Sequence, residues 1–113
     1  MKIINSSGNM ILGGNVSVAK TFFGRLKGLM FRNRLDDGEG LLIVPCSMIH
    51  TFFMKISIDV LFLDGQGTVI YIMENLPPWK CSPPVSKAAS VLELPAGTVK
   101  KTGTCTKDRL IFD

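Results

Sequence analysis

A chain of 113 residues with 46% apolar and 19% charged side chains is the right size for one domain, 1–113, and buries enough apolar surface to offset chain entropy, which excludes a disordered chain. The formal charge of +4 comes from scattered Lys and Arg, so it favours solubility and makes nucleic acid an unlikely partner, since nucleic-acid binding needs basic side chains gathered on one face. No apolar run reaches the roughly 18 residues of a membrane span. The N-terminal stretch MKIINSSGNMILGG lacks the continuous apolar region of an export signal, so a cytoplasmic location is expected, with export of a longer, trimmed chain left open. Cys46, Cys81 and Cys105 are odd in number and widely spaced, which fits neither a disulfide framework nor a paired zinc motif and predicts reduced thiols.

Taken in order, Lys2–Ile4 and Met10–Leu12 flank Asn5-Ser6-Ser7-Gly8-Asn9, a turn composition that predicts a small hairpin. Thr21 then has the chemistry of an N-cap, and Phe22, Leu26 and Leu29 follow at the i, i+4, i+7 spacing of one helical face. Gly24 and Gly28 each cost roughly 1 kcal/mol of helix propensity against alanine, so the helix is expected to be short and to end near Gly28. Arg25 would stand off its apolar stripe and could reach a carboxylate. Residues Asn33–Gly40 read as a polar loop, and Leu41–Val44 as a buried strand stopped by Pro45. The β-branched and aromatic residues of Ile49–Phe53 favour a further strand. Asp59–Leu63 and Thr68–Ile72, joined by Asp64-Gly65-Gln66-Gly67, have the pattern of a hairpin. Four of the six prolines lie between Leu76 and Pro84 and make that stretch a stiff surface loop. Val91–Leu94 reads as a strand running into the turn Pro95-Ala96-Gly97, and Arg109–Phe112 as the last strand. The fold class that follows is mainly β, α+β at the margin: a compact, barrel-like antiparallel sheet with one or two short helices.

Three soft-metal ligand types, Cys46, His50 and Met54, recur every four residues. On a helix such neighbours lie about 6 Å apart, but on a strand about 13 Å, too far for one ion. The strand reading of this stretch therefore predicts no metal and no cofactor, unless the chain bends after Pro45. A thiol enzyme built on Cys46 and His50 needs the imidazole within hydrogen-bond reach of the sulfur, and no orienting third residue is evident. Asp59 interrupts an apolar strand and shares its face with Leu61 and Leu63, which predicts a partly buried carboxylate partnered by Arg25, Arg32 or backbone N–H groups. Trp79, the single tryptophan, either stands exposed for partner contact or folds back onto the core.

The segments GRLKGLMFRNRL (Gly24–Leu35), HTFFMKISIDVLFLDGQGTVI (His50–Ile70) and VLELPAG (Val91–Gly97) resemble those of a bacterial and archaeal family, domain-of-unknown-function family 192. Phe53-Met54-Lys55, Ile58-Asp59, Phe62 and the Asp64–Gly67 turn carry the most specific part of the resemblance. It implies a small, predominantly β, barrel-like domain and no established activity. Two departures stand out: Gly103 and Asp108 are separated where the family often has them adjacent, and many members lack a counterpart of His50. The resemblance thus argues against general Cys/His chemistry and for a constellation of Arg25, Arg32, Met54 and Asp59.

The expected function is a non-enzymatic binding or accessory module for a small polar ligand or a peptide, with Arg25, Arg32, His50, Met54, Asp59 and Trp79 as candidate binding residues. The alternative is a thiol- or metal-dependent enzyme that uses Cys46 and His50 as catalytic residues. Strand addition at an exposed sheet edge is a third possibility.

Overall fold

The computed structural model describes residues 1–113, the side chain of Phe22 excepted. Among the described residues the order is β1 (Ile3–Asn5), β2 (Met10–Gly13), β3 (Asn15–Ala19), α1 (Phe22–Lys27), β4 (Glu39–Ile43), β5 (Ile58–Leu63), β6 (Val69–Leu76), β7 (Ser90–Pro95), α2 (Thr98–Thr102) and β8 (Leu110–Phe112). The fold is mainly β with two short helices, as expected. Its closure takes the form of two sheets rather than one barrel: a three-stranded sheet ordered β2-β1-β8 and a five-stranded sheet ordered β3-β4-β7-β5-β6. One pair, β3 with β4, is parallel. No helix is long and apolar enough to cross a membrane among the described residues.

Local chemistry explains the elements that the sequence predicts. In the β1–β2 turn the Asn5 side chain accepts from the Ser7 N–H at 3.0 Å. The β5–β6 turn is held by Asp64 Oδ1, which accepts from the Gln66 and Thr68 N–H groups, each at 2.9 Å. Helix α1 begins where Thr21 Oγ1 accepts from the Gly24 N–H at 3.0 Å. That cap also explains the glycine, because a Cβ on Gly24 would stand 2.7 Å from the same hydroxyl. Of the expected helical stripe, Leu29 is buried and Leu26 is exposed; the side chain of Phe22 lies outside the described residues.

Strand β7 runs between β4 and β5, and its alternate side chains serve two apolar layers. Leu92 and Leu94 pack with Ile3, Leu12, Val16 and Leu61. Val91 packs on the opposite face with Leu29, Ile43, Ile49, Met54 and Phe62. The second layer is covered by α1 and by the chain from Pro45 to Met54, and this covering forms the cleft described below.

Two elements go beyond the sequence-based expectation. Strand β3 is fixed by its parallel pairing with β4, and the five-residue helix α2 by Asp59. One expectation is corrected. Ile49–Phe53 is not a strand; its single ladder contact is the bridge of His50 to Cys81. The reason is Thr51, which is fully buried. Its hydroxyl donates to Pro77 O at 2.6 Å and accepts from the Lys80 N–H at 2.9 Å. Its carbonyl accepts from Trp79 and Met54 N–H groups. These bonds fold the segment back on the proline-rich loop, and Phe53 takes a left-handed φ of 63° that ends any extension.

Asp59 is fully buried, and its oxygens accept from the N–H groups of Asn75 (2.9 Å), Gly97 (3.1 Å) and Val99 (2.8 Å). Of the partners expected for it, the backbone supplies all three and neither Arg25 nor Arg32 takes part. The carboxylate thereby ties β5 to β6 and to the start of α2. Asp59→Ala would leave three N–H groups, the Val99 one buried, without their acceptor and is expected to cost about 3–5 kcal/mol in urea denaturation, with Asp59→Asn costing less. A loss below about 1 kcal/mol would show that these bonds do not hold α2 to the sheet.

Candidate functional site

Between α1 with its following turn and the chain from Pro45 to Met54 lies a cleft of about 500 Å³. Its apolar walls come from Leu29, Ile43, Ile49, Met54 and Ala88. Its polar groups are Arg25 and Lys27 from α1, Cys46, Ser47 and His50 from the loop, and Glu93 from β7. The bend that the sequence analysis required after Pro45 is present, so Cys46, His50 and Met54 all line the same cleft although they do not lie on a helix.

Glu93 is the residue that the sequence analysis missed. It is 2% exposed, and its Oε1 has no hydrogen-bond partner among the described residues. Its neighbours across the sheet are Leu41 on β4 and Val60 on β5, neither of which offers a side-chain partner. The Cα of Gly28, at a φ of 49°, lies over Oε1: a Cβ there would come within 3.7 Å. Burial pushes the carboxyl up from its usual 4.5 to about 8, so it is a neutral acid at pH 7. The missed signal was in VLELP, where Glu93 interrupts an apolar strand as Asp59 does.

Folded Glu93 keeps a proton that the unfolded chain releases above pH 4.5. Stability therefore falls as pH rises from about 4.5 to 8, by up to roughly 1.4 kcal/mol per pH unit, and levels off above. Glu93→Gln removes this slope and is expected to be the more stable form at pH 9, with no such advantage at pH 4, in urea denaturation followed across pH. A wild-type stability that stays level between pH 5 and 8 would show a hydrated carboxylate instead.

Cys46 is partly buried, and Sγ donates to Met48 O at 3.2 Å. Burial raises its pKa first and Glu93 adds to this, while the Met48 backbone and the Arg25 charge oppose it. His50 Nδ1 accepts from the Phe52 N–H at 3.1 Å. No hydrogen bond joins Cys46 to His50 among the described residues, and the thiol is held protonated, the reverse of what a nucleophile requires. Iodoacetamide is expected to alkylate Cys46 more slowly than the exposed Cys81 and Cys105, read by peptide mass spectrometry. Faster reaction at Cys46, lost in His50→Ala, would support the thiol-enzyme alternative.

The structure thus brings Arg25, Cys46, His50 and Met54 together and leaves three other candidates outside the cleft. Arg25 does not reach a carboxylate; Nη1 donates to Pro45 O at 3.0 Å and Nε to Thr21 O at 3.4 Å, because the helix end faces carbonyls there. Arg32 pairs with Glu39 at 3.2 Å on the surface. That carboxyl lies below its usual value, through the Asp36 N–H first and Arg32 second. Asp59 is spent on backbone donors, as described above. Trp79 is 58% exposed and does not cap the core. It belongs to a line of rings beside the cleft: Phe31 to Phe53 (5.7 Å between centroids), Phe53 to Trp79 (4.8 Å), Trp79 to Phe52 (5.9 Å) and Phe52 to His50 (5.1 Å). Phe31, Phe53 and Trp79 all have left-handed φ angles, 67°, 63° and 65°, a conformation that bulky side chains rarely adopt. The Phe31 N–H donates to Phe53 O and the Trp79 N–H to Thr51 O, which helps to fix these conformations. No three His, Cys, Asp or Glu side chains converge as a metal-binding group among the described residues.

Comparison with known proteins gives the chain relatives. The family model DUF192, described as "Uncharacterized ACR", matches residues 3–112. A UPF0127 protein of Pyrococcus abyssi is 39% identical over 104 residues, covering 87% of this chain and 86% of its own. One from Pyrococcus horikoshii is 36% identical over 100 residues, covering 84% of each. The crystal structure of a protein of unknown function from Novosphingobium aromaticivorans superposes with a TM-score of 0.86 at 25% identity, over 98% of this chain and 82% of that one.

Proposed function

The chain belongs to the DUF192 family, and from the geometry of its cleft we propose that it is a non-enzymatic binding module taking a small polar ligand between α1 and the Pro45–Met54 loop. One observation carries this reading. A buried carboxyl oxygen without a partner costs about 1–3 kcal/mol, and Glu93 Oε1 lies in that condition at the cleft. A ligand that reaches Glu93 supplies the missing hydrogen bond. Arg25, His50 and Met54 contact such a ligand from the walls. The ring line ending at Trp79 extends the mouth, where an apolar body or a peptide side chain can lie. Backbone strain at Phe31, Phe53 and Trp79 supports the same role, since strained residues gather where a surface is pre-shaped for binding.

Native mass spectrometry of the protein with pooled small carboxylates, amines, amides and nucleosides tests the reading. A one-to-one adduct is expected, and Ala88→Leu, which fills the cleft, is expected to weaken it at least tenfold while the melting temperature shows the variant folded. No adduct in any pool, or equal binding by folded Ala88→Leu, would sink the proposal.

A further inference from the structure

Resting on that binding role, we propose that the ligand is a monocarboxylate with an apolar body, its carboxylate accepting hydrogen bonds from the Glu93 acid and the Arg25 guanidinium while the body lies along Leu29, Ile43, Ile49 and Met54. Glu93 and Arg25 line the same cleft, Glu93 from β7 and Arg25 from α1. Arg25 has two of its N–H groups on Pro45 O and Thr21 O, and a guanidinium carries five.

The charged side chains that line the cleft beside Glu93 are cations. From α1 come the cations Arg25 and Lys27; from the loop come His50 and the Cys46 thiol. The His50 Nδ1 accepts from the Phe52 N–H. From β4 and β5 the flanking residues are Leu41 and Val60, neither titratable. Among the described residues Glu93 is the only acid lining the cleft, and burial makes it a donor rather than a charge at neutral pH. An ammonium ligand would have to ionise Glu93 and pass two cations. An amide would use Glu93 but offers Arg25 a single neutral oxygen, where a carboxylate offers two charged ones that can pair with the guanidinium bidentately.

Isothermal titration calorimetry with octanoate, octanamide and octylamine separates the classes. Octanoate is expected to bind at least tenfold tighter than either analogue at pH 6.5. Its affinity should fall about tenfold per pH unit above pH 8, as the Glu93 proton is lost and two anions meet. Glu93→Gln, whose amide donates at every pH, should bind octanoate within about threefold of wild type at pH 6.5 and show no such fall. Arg25→Gln should weaken octanoate about tenfold and leave octanamide unchanged. Tighter binding of octylamine or octanamide, or octanoate binding that is level across pH in wild type, would overturn the carboxylate assignment and leave the binding role standing. No binding of any of the three would overturn the assignment too, and the binding role falls with it only if the pooled-ligand experiment also shows no adduct.

Discussion

Strand β7 lies between β4 and β5, with an apolar layer on each face of the sheet. A strand in that position has no wet side, so every one of its side chains must be packed or paired. Val91, Leu92 and Leu94 meet the demand by packing and are fully buried. Glu93 cannot, and its position beside Leu41 and Val60 offers it no side-chain partner. Helix α1 ends at Gly28, beside the carboxyl oxygen, and the Pro45–Met54 loop closes the other side, its Ile49 and Met54 serving both packed core and cleft wall.

The two carboxylates placed in apolar strands have opposite solutions. Asp59 is wrapped by three backbone N–H groups from β6 and the start of α2, so its burial welds three elements together. Glu93 lacks such donors, and burial turns it into a neutral acid. A buried charge without donors gives up its ionisation, because neutralising costs less than desolvating the charged form. The same functional group, a buried carboxyl, thus holds the architecture together from β5 and lines the cleft from β7.

The walls of the cleft depend on backbone bonds made far away in the sequence. Thr51 joins the loop to Pro77, Trp79 and Lys80. This contact bends the chain that carries Cys46, His50 and Met54 and sets the Phe31–Phe53–Trp79–Phe52 ring line beside it. The rings keep their places although three of them sit on a strained backbone, which happens only where the surroundings over-determine the conformation.

The sequence by itself determined the local features: the Thr21 cap, the Asp64 turn and its hairpin, the strand of β7, the proline loop and the burial of Asp59 were all legible because each rests on residues a few positions apart or on simple alternation. It also identified Arg25, Cys46, His50 and Met54 as residues with chemistry to offer. It did not show that Ile49–Phe53 bends, because the competing interaction is Thr51 with a loop more than 25 residues on. Nor did it show β3, whose pairing is parallel and distant, or α2, which Asp59 holds in place. Arg32 and Asp59 were grouped with Arg25 and Met54 through the family resemblance and Trp79 through its place in the proline loop, and the fold sets all three outside the cleft. Glu93 was decided by tertiary structure alone: whether a glutamate in a strand is solvated, paired or left as an uncharged acid depends on what lies across the sheet, and only the packed fold supplies that.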